Sequence, residues 1–151
     1  DKLKIVLDEK TQISPEHIEM YVGFSKDFNN FELYKAVAAR DFYKCSKIIK
    51  YMSKNPKKHP ITLTISGFFD FFKRIMLYHS LIDKSKAAYL MGVNPYFVKD
   101  YEEASKKFTL KQASKAISNI LEADLRSKGV GSKSVNNYHI IQDLLLKIFT
   151  S

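Results

Sequence analysis

The chain has 151 residues, 45% hydrophobic and 27% charged, with 25 basic against 16 acidic side chains for a formal charge of +9. That length suits one domain burying about two-thirds of its unfolded surface, and the composition excludes a disordered chain. Five Gly and four Pro leave few breakpoints for a many-turned β-sandwich, no apolar run reaches the roughly 18 residues of a membrane span, and the single Cys45 excludes an internal disulfide and fits a reducing, cytoplasmic setting.

Leu3, Ile5 and Leu7 alternate with polar residues, which fits a short strand or a helix end and gives no expectation of a signal peptide. Ser14-Pro15 starts a short helix carrying Ile18, Met20 or Tyr21, and Val22 to a stop at Gly23. A second helix is expected from about Asn30 to Arg40, with Phe31, Leu33 or Tyr34, Val37 and Ala38 inward. Asp41 caps the next one, whose apolar stripe is Phe42, Cys45, Ile48 or Ile49, and Met52. Lys44, Lys47, Lys50 and Lys54 form its basic stripe, covering about a third of the circumference. A solvated face is the plain reading of that stripe and phosphate contact the sharper one.

Asn55 to Pro60 is a turn with two prolines. Ile61 to Ile65 alternates like a strand, but the pattern runs without a breaker into Phe68, Phe69, Phe72, Ile75, Met76 and His79 at helical spacing. With Phe71, Leu77 and Tyr78 off the stripe, the segment predicts a central helix apolar most of the way round. His79 reads as a hydrogen-bonded histidine at the core's edge, with no acid or thiol beside it at metal-ligand spacing.

Asp83 caps a short helix ending at Met91, and Gly92 suits the left-handed position that stops it. Asn94-Pro95 restarts a helix as N-cap and first residue, feeding Phe97, Tyr101, Ala104 and Phe108 into the core. Thr109 opens a long helix with Ala113, Ala116 or Ile117, Ile120 or Leu121, and Leu125 inward. Asp124 falls on that apolar side, where an unpaired charge is costly. The expectation is that it ties the helix to a neighbouring element, with Lys128 as the nearest partner on its own helix; the plainer reading is that it only edges the stripe and reaches water. After a loop at Gly129–Gly131, Ser134 to Phe149 forms the last helix, seamed by Tyr138, Ile141, Leu144 or Leu145, and Ile148.

Site chemistry is sparse. No glycine-rich loop with a following Lys-Ser/Thr is present, and Gly129-Val130-Gly131 is too short for a dinucleotide fingerprint. Cys45 sits on an apolar stripe without a base, while His17, His59, His79 and His139 are scattered. Glu102-Glu103 reads as a solvated pair. No catalytic, cofactor or metal residue is therefore expected. The charge is spread over both halves, +4 in residues 1–60 (12 basic, 8 acidic) and +5 in 61–151 (13 basic, 8 acidic).

Four ordered motifs carry a family resemblance. They are Asp27-Phe28-Asn29-Asn30-Phe31-Glu32-Leu33, Ala39-Arg40-Asp41-Phe42-Tyr43-Lys44-Cys45-Ser46-Lys47-Ile48, Gly92-Val93-Asn94-Pro95-Tyr96-Phe97-Val98-Lys99-Asp100-Tyr101 and Asp124-Leu125-Arg126-Ser127-Lys128-Gly129. Together they resemble the C-terminal half of the bacterial DNA polymerase III delta subunit. The pattern departs at Cys45-Ser46, where relatives often carry small aliphatic residues, and the resemblance supplies no role for the Asp41-helix lysines.

The resemblance implies an all-α fold. Residues 1–28 would be the end of an AAA+ lid and its linker, and residues 29–151 a helical collar domain. It also implies a non-catalytic subunit of the DNA polymerase holoenzyme. The collar would hold delta in the sliding-clamp loader beside gamma/tau and delta-prime, while the sliding clamp would be met through an N-terminal domain outside this sequence. Contact or structural residues expected on this reading are Asn94, Pro95, Phe97, Tyr101, Asp124, Ile141 and Leu145. A rival reading from another class is a nucleic-acid-binding helical module using Lys44, Lys47, Lys50 and Lys54.

Overall fold

The computed structural model describes residues 28–131 and 136–151. The expected Ser14–Gly23 helix lies outside them. Local signals set most boundaries of the seven α-helices found among the described residues. Helix α1 spans Asn30–Ala38, with the Asn29 side chain accepting from the Glu32 amide at 3.0 Å. It ends two residues before the expected Arg40, because Arg40 turns left-handed at φ 55°. Helix α2, Phe42–Ser53, starts at Asp41, whose carboxylate accepts from the Lys44 amide at 3.0 Å.

Helix α3 runs from Ile61 to Ser80. Thr64, Ile65, Phe68, Phe71, Phe72, Ile75 and Tyr78 are buried along it, a helical rather than alternating spacing, so the strand-like start at Ile61 is overridden. A 3₁₀ turn at Lys84–Lys86, capped by Asp83, leads into α4, Ala87–Met91. Gly92 ends α4 at φ 66°. Asn94 then accepts from the Tyr96 amide at 2.9 Å and Pro95 opens a 3₁₀ turn to Phe97 before α5, Val98–Lys107. Phe108 lies just past α5 in extended backbone, yet remains buried. Helix α6, Leu110–Ser127, opens with a full capping box between Thr109 and Gln112. Helix α7 spans Asn137–Thr150 with Asn136 as cap, and the expected start at Ser134 falls outside the described residues.

Helix α3 is the central post, packed against α1, α5 and α6. The layer closes as α6 meets α7, α7 meets α2, and α2 meets α1. Phe68, Phe72, Phe108, Leu33, Ile48 and Leu145 are among the fully buried side chains of the shared core. The His79 ring donates from Nε2 to the Phe108 carbonyl at 2.7 Å, tying the end of α3 to the α5–α6 junction. Arg40 stacks its guanidinium 4.4 Å from the same Phe108 ring, an attraction that offsets its left-handed backbone.

Two inward assignments need correction. On α6 the buried stripe is Ala113, Ala116, Ile120 and Ala123, so Leu121 and Leu125 stand 52% and 50% exposed. Small side chains face α3 because the aromatic residues of that helix already fill the space between the axes. On α1, Leu33, Ala36 and Val37 take the core positions and Phe31 is 48% exposed.

Candidate contact groove and basic face

Gly67 sits mid-helix in α3, where glycine costs about 1 kcal/mol relative to alanine. The reason is Tyr34: a Cβ at Gly67 would lie 1.8 Å from its hydroxyl oxygen. The glycine lets the α1 tyrosine lie flat on α3, where its O–H donates to the Thr64 carbonyl at 3.0 Å. Thr64 in turn donates its hydroxyl to Asn30 Oδ1 at 2.9 Å, so α1 and α3 are pinned at two adjacent points. Burial, with Asp70 nearby, pushes the Tyr34 phenol well above its usual range and keeps it a donor.

Beside that pin the surface opens into a groove of about 660 Å³ between α1, α3, α5 and the Gly92 corner. Phe31, Tyr34, Phe71, Phe97 and Tyr101 supply its aromatic lining. Phe31 and Phe97 meet edge-on at 6.0 Å, and Tyr101 lies 5.9 Å from Phe71. The rim is charged in both signs, with Lys35, Arg74 and Lys107 alternating with Asp70, Asp100 and Glu103.

The expected contact residues divide. Asn94, Phe97 and Tyr101 come together in this groove. Pro95 is exposed at the first position of the adjoining 3₁₀ turn. Ile141 and Leu145 are not surface anchors; both are buried in the domain's own core. Phe31, Tyr34 and Gly67 complete the groove, and sequence spacing alone does not assign them to it. A lone glycine inside a long apolar helix is the signal for a close approach there.

Asp124 meets Lys128, the partner expected on its own helix, and not the expected tie to a neighbouring element. Ala123 holds the core position beside it, and Asp124, 31% exposed, pairs at 2.8 Å with Lys128 on the same helix. Among the described residues it makes no tie from α6 to a neighbouring helix. Asp124→Ala should therefore shift stability by less than about 0.5 kcal/mol, as exposed i,i+4 pairs do. Denaturant titration of both proteins, with an unchanged m-value, checks this; a loss above about 1 kcal/mol would contradict it.

Cys45 is fully buried, and burial, with Asp41 adding to it, pushes its thiol up to about 12. A neutral, enclosed thiol is no nucleophile. Among the described residues no three His, Cys, Asp or Glu side chains gather where they could hold a metal ion, and no helix is long and apolar enough to cross a membrane.

The even charge split between the two halves conceals a concentration. From Phe42 to Phe69 the chain has six lysines, at 44, 47, 50, 54, 57 and 58, and no Asp or Glu. Lys47, Lys50 and Lys54 are exposed on the outer side of α2 and Lys44 is half-buried beside them. None of these four is in an ion pair with a described residue.

A family model described as the DNA polymerase III delta subunit, C-terminal domain, matches residues 27–148. No curated protein and no solved structure matches the chain.

Proposed function

Because the chain belongs to the family defined by the C-terminal domain of the DNA polymerase III delta subunit, we propose that it is an assembly domain that holds delta among the other members of a sliding-clamp loader. On this reading residues 29–151 are the collar and residues 1–28 the end of a lid and its linker; a family match that begins at residue 27 supports that division. The expected neighbours are the gamma/tau and delta-prime collars.

The aromatic groove carries the proposal. A partly exposed cluster of Phe31, Phe97 and Tyr101 beside a polar rim has the make-up of an interface centre, where buried aromatics supply most of the binding energy. The domain's own core covers these rings only in part, while the apolar seam of α7 is already used inside. A helix or loop of a neighbouring protein in the assembly would bury them.

Mixing the protein with gamma/tau and delta-prime and sizing the product tests this. The wild type should co-elute with both. A Phe31→Glu/Phe97→Glu variant should keep its helical circular dichroism and lose at least tenfold in affinity for the assembly. A folded variant that assembles as well as the wild type would move the contact away from the groove.

A further inference from the structure

We propose that the outer face of α2 is a contact surface for single-stranded nucleic acid, independent of the assembly groove. The face is defined by alignment as well as by charge. Tyr43, Lys47, Lys50 and Lys54 follow one another at i, i+4, i+7 and i+11, which places them within a narrow arc of the helix. Tyr43 is 75% exposed, and the Lys47 ammonium lies 5.8 Å from its ring centre. The row is about 16 Å long at roughly 1.5 Å per residue, with a lysine every three or four positions.

Among the described residues no carboxylate pairs with a lysine of this row. Some exposed lysines elsewhere meet carboxylates, as Lys106 does Glu103, Lys128 does Asp124 and Lys147 does Glu122, while others such as Lys99, Lys111 and Lys115 are scattered over two helices rather than set in one row. On α2 no acid follows Asp41, and Asp41 itself caps the helix. The stretch from Phe42 to Phe69 therefore holds +6 of the chain's +9. A solvated face that only kept the protein soluble would gain nothing from excluding every acid or from keeping a tyrosine in water.

The combination fits a polyanion that also offers flat rings. Lysines would neutralise successive phosphates of one strand, and Tyr43 would stack on a base, a pairing that favours single strands over duplex because only unpaired bases present their faces. An anionic membrane would match the charge but gives the exposed tyrosine no ring to stack on, and α2 keeps its apolar residues Cys45, Ile48, Ile49 and Met52 inside.

The test is fluorescence anisotropy of a labelled oligothymidine of about 20 nucleotides with the 151-residue protein, at about 50 and about 200 mM salt. The wild type should bind with a steep salt slope. Lys47→Gln/Lys50→Gln/Lys54→Gln should weaken binding at least tenfold at low salt and flatten the slope by about 2, at roughly 0.7 for each phosphate no longer neutralised. Tyr43→Ala should weaken binding at least fivefold with the slope unchanged. A control that removes equal charge elsewhere, Lys99→Gln/Lys111→Gln/Lys115→Gln, should stay within twofold of the wild type. The proposal is overturned by any of four results: no binding, an equal loss in the control, duplex bound as tightly as the single strand with Tyr43→Ala silent, or sedimentation with phosphatidylserine vesicles in place of oligonucleotide binding.

Discussion

Leu145→Asp should leave the protein unable to fold. Leu145 is 0% exposed in the middle of α7, where it joins the core shared by the α6 and α2 sides of the bundle. An ionised carboxylate there has no partner and costs several kcal/mol after relaxation, on top of the lost leucine burial. The whole stability of a domain this size is about 5–15 kcal/mol, so the two losses together remove most or all of it. The milder Leu145→Ala should fold with a loss of about 2–5 kcal/mol. Circular dichroism of the first variant and urea titration of the second check both expectations. A folded Leu145→Asp protein that has lost only its partners would return Leu145 to the surface.

Gly67→Ala should destabilise the protein by about 1–3 kcal/mol, although the same change in most helices is stabilising by about 1 kcal/mol. The added Cβ would lie 1.8 Å from the Tyr34 hydroxyl oxygen and 2.4 Å from the ring carbon that bears it. Tyr34 has little room to yield. Its ring meets Phe68 edge-on at 5.0 Å and lies near-parallel to Phe71 at 6.1 Å, and its hydroxyl is bonded to Thr64. A double-mutant cycle isolates the cause. In a Tyr34→Ala background the clash is gone, and Gly67→Ala should become stabilising. Thermal melts of the four proteins would show this reversal of sign, and its absence would mean that Gly67 serves something other than the α1–α3 approach.

The elements are legible in the sequence where their signals are local. Asp41, Gly92, Asn94-Pro95 and Thr109 cap or stop helices through bonds close to themselves in the chain, so their spacing carries the information. The side facing the core is less legible on α6. Its stripe is mostly alanine, a weak hydrophobic marker, while the strong markers Leu121 and Leu125 lie on the flank. Spacing therefore misplaces Leu125 inward and gives Asp124 a tertiary role that its Lys128 pair does not support. The groove is half visible, since the Gly92 corner announces Phe97 and Tyr101. Its other wall comes from α1 and α3, separate helices earlier in the chain, and no periodicity within one helix reports that juxtaposition. The basic stripe is legible as a face of α2; that no acid lies between Phe42 and Phe69 becomes clear only when the neighbouring turn and helix are counted with it.

The way α7 closes the layer bears on how the protein is made. Phe42 at the head of α2 meets Phe149 on α7, and Ile141, Leu144, Leu145 and Ile148 complete a core begun more than a hundred residues earlier. While a ribosome extends the chain by about 5–20 residues per second, α1 to α6 emerge with an uncovered apolar slot between α2 and α6. The partly made domain must hold that slot open, or have it shielded by a chaperone, until α7 arrives.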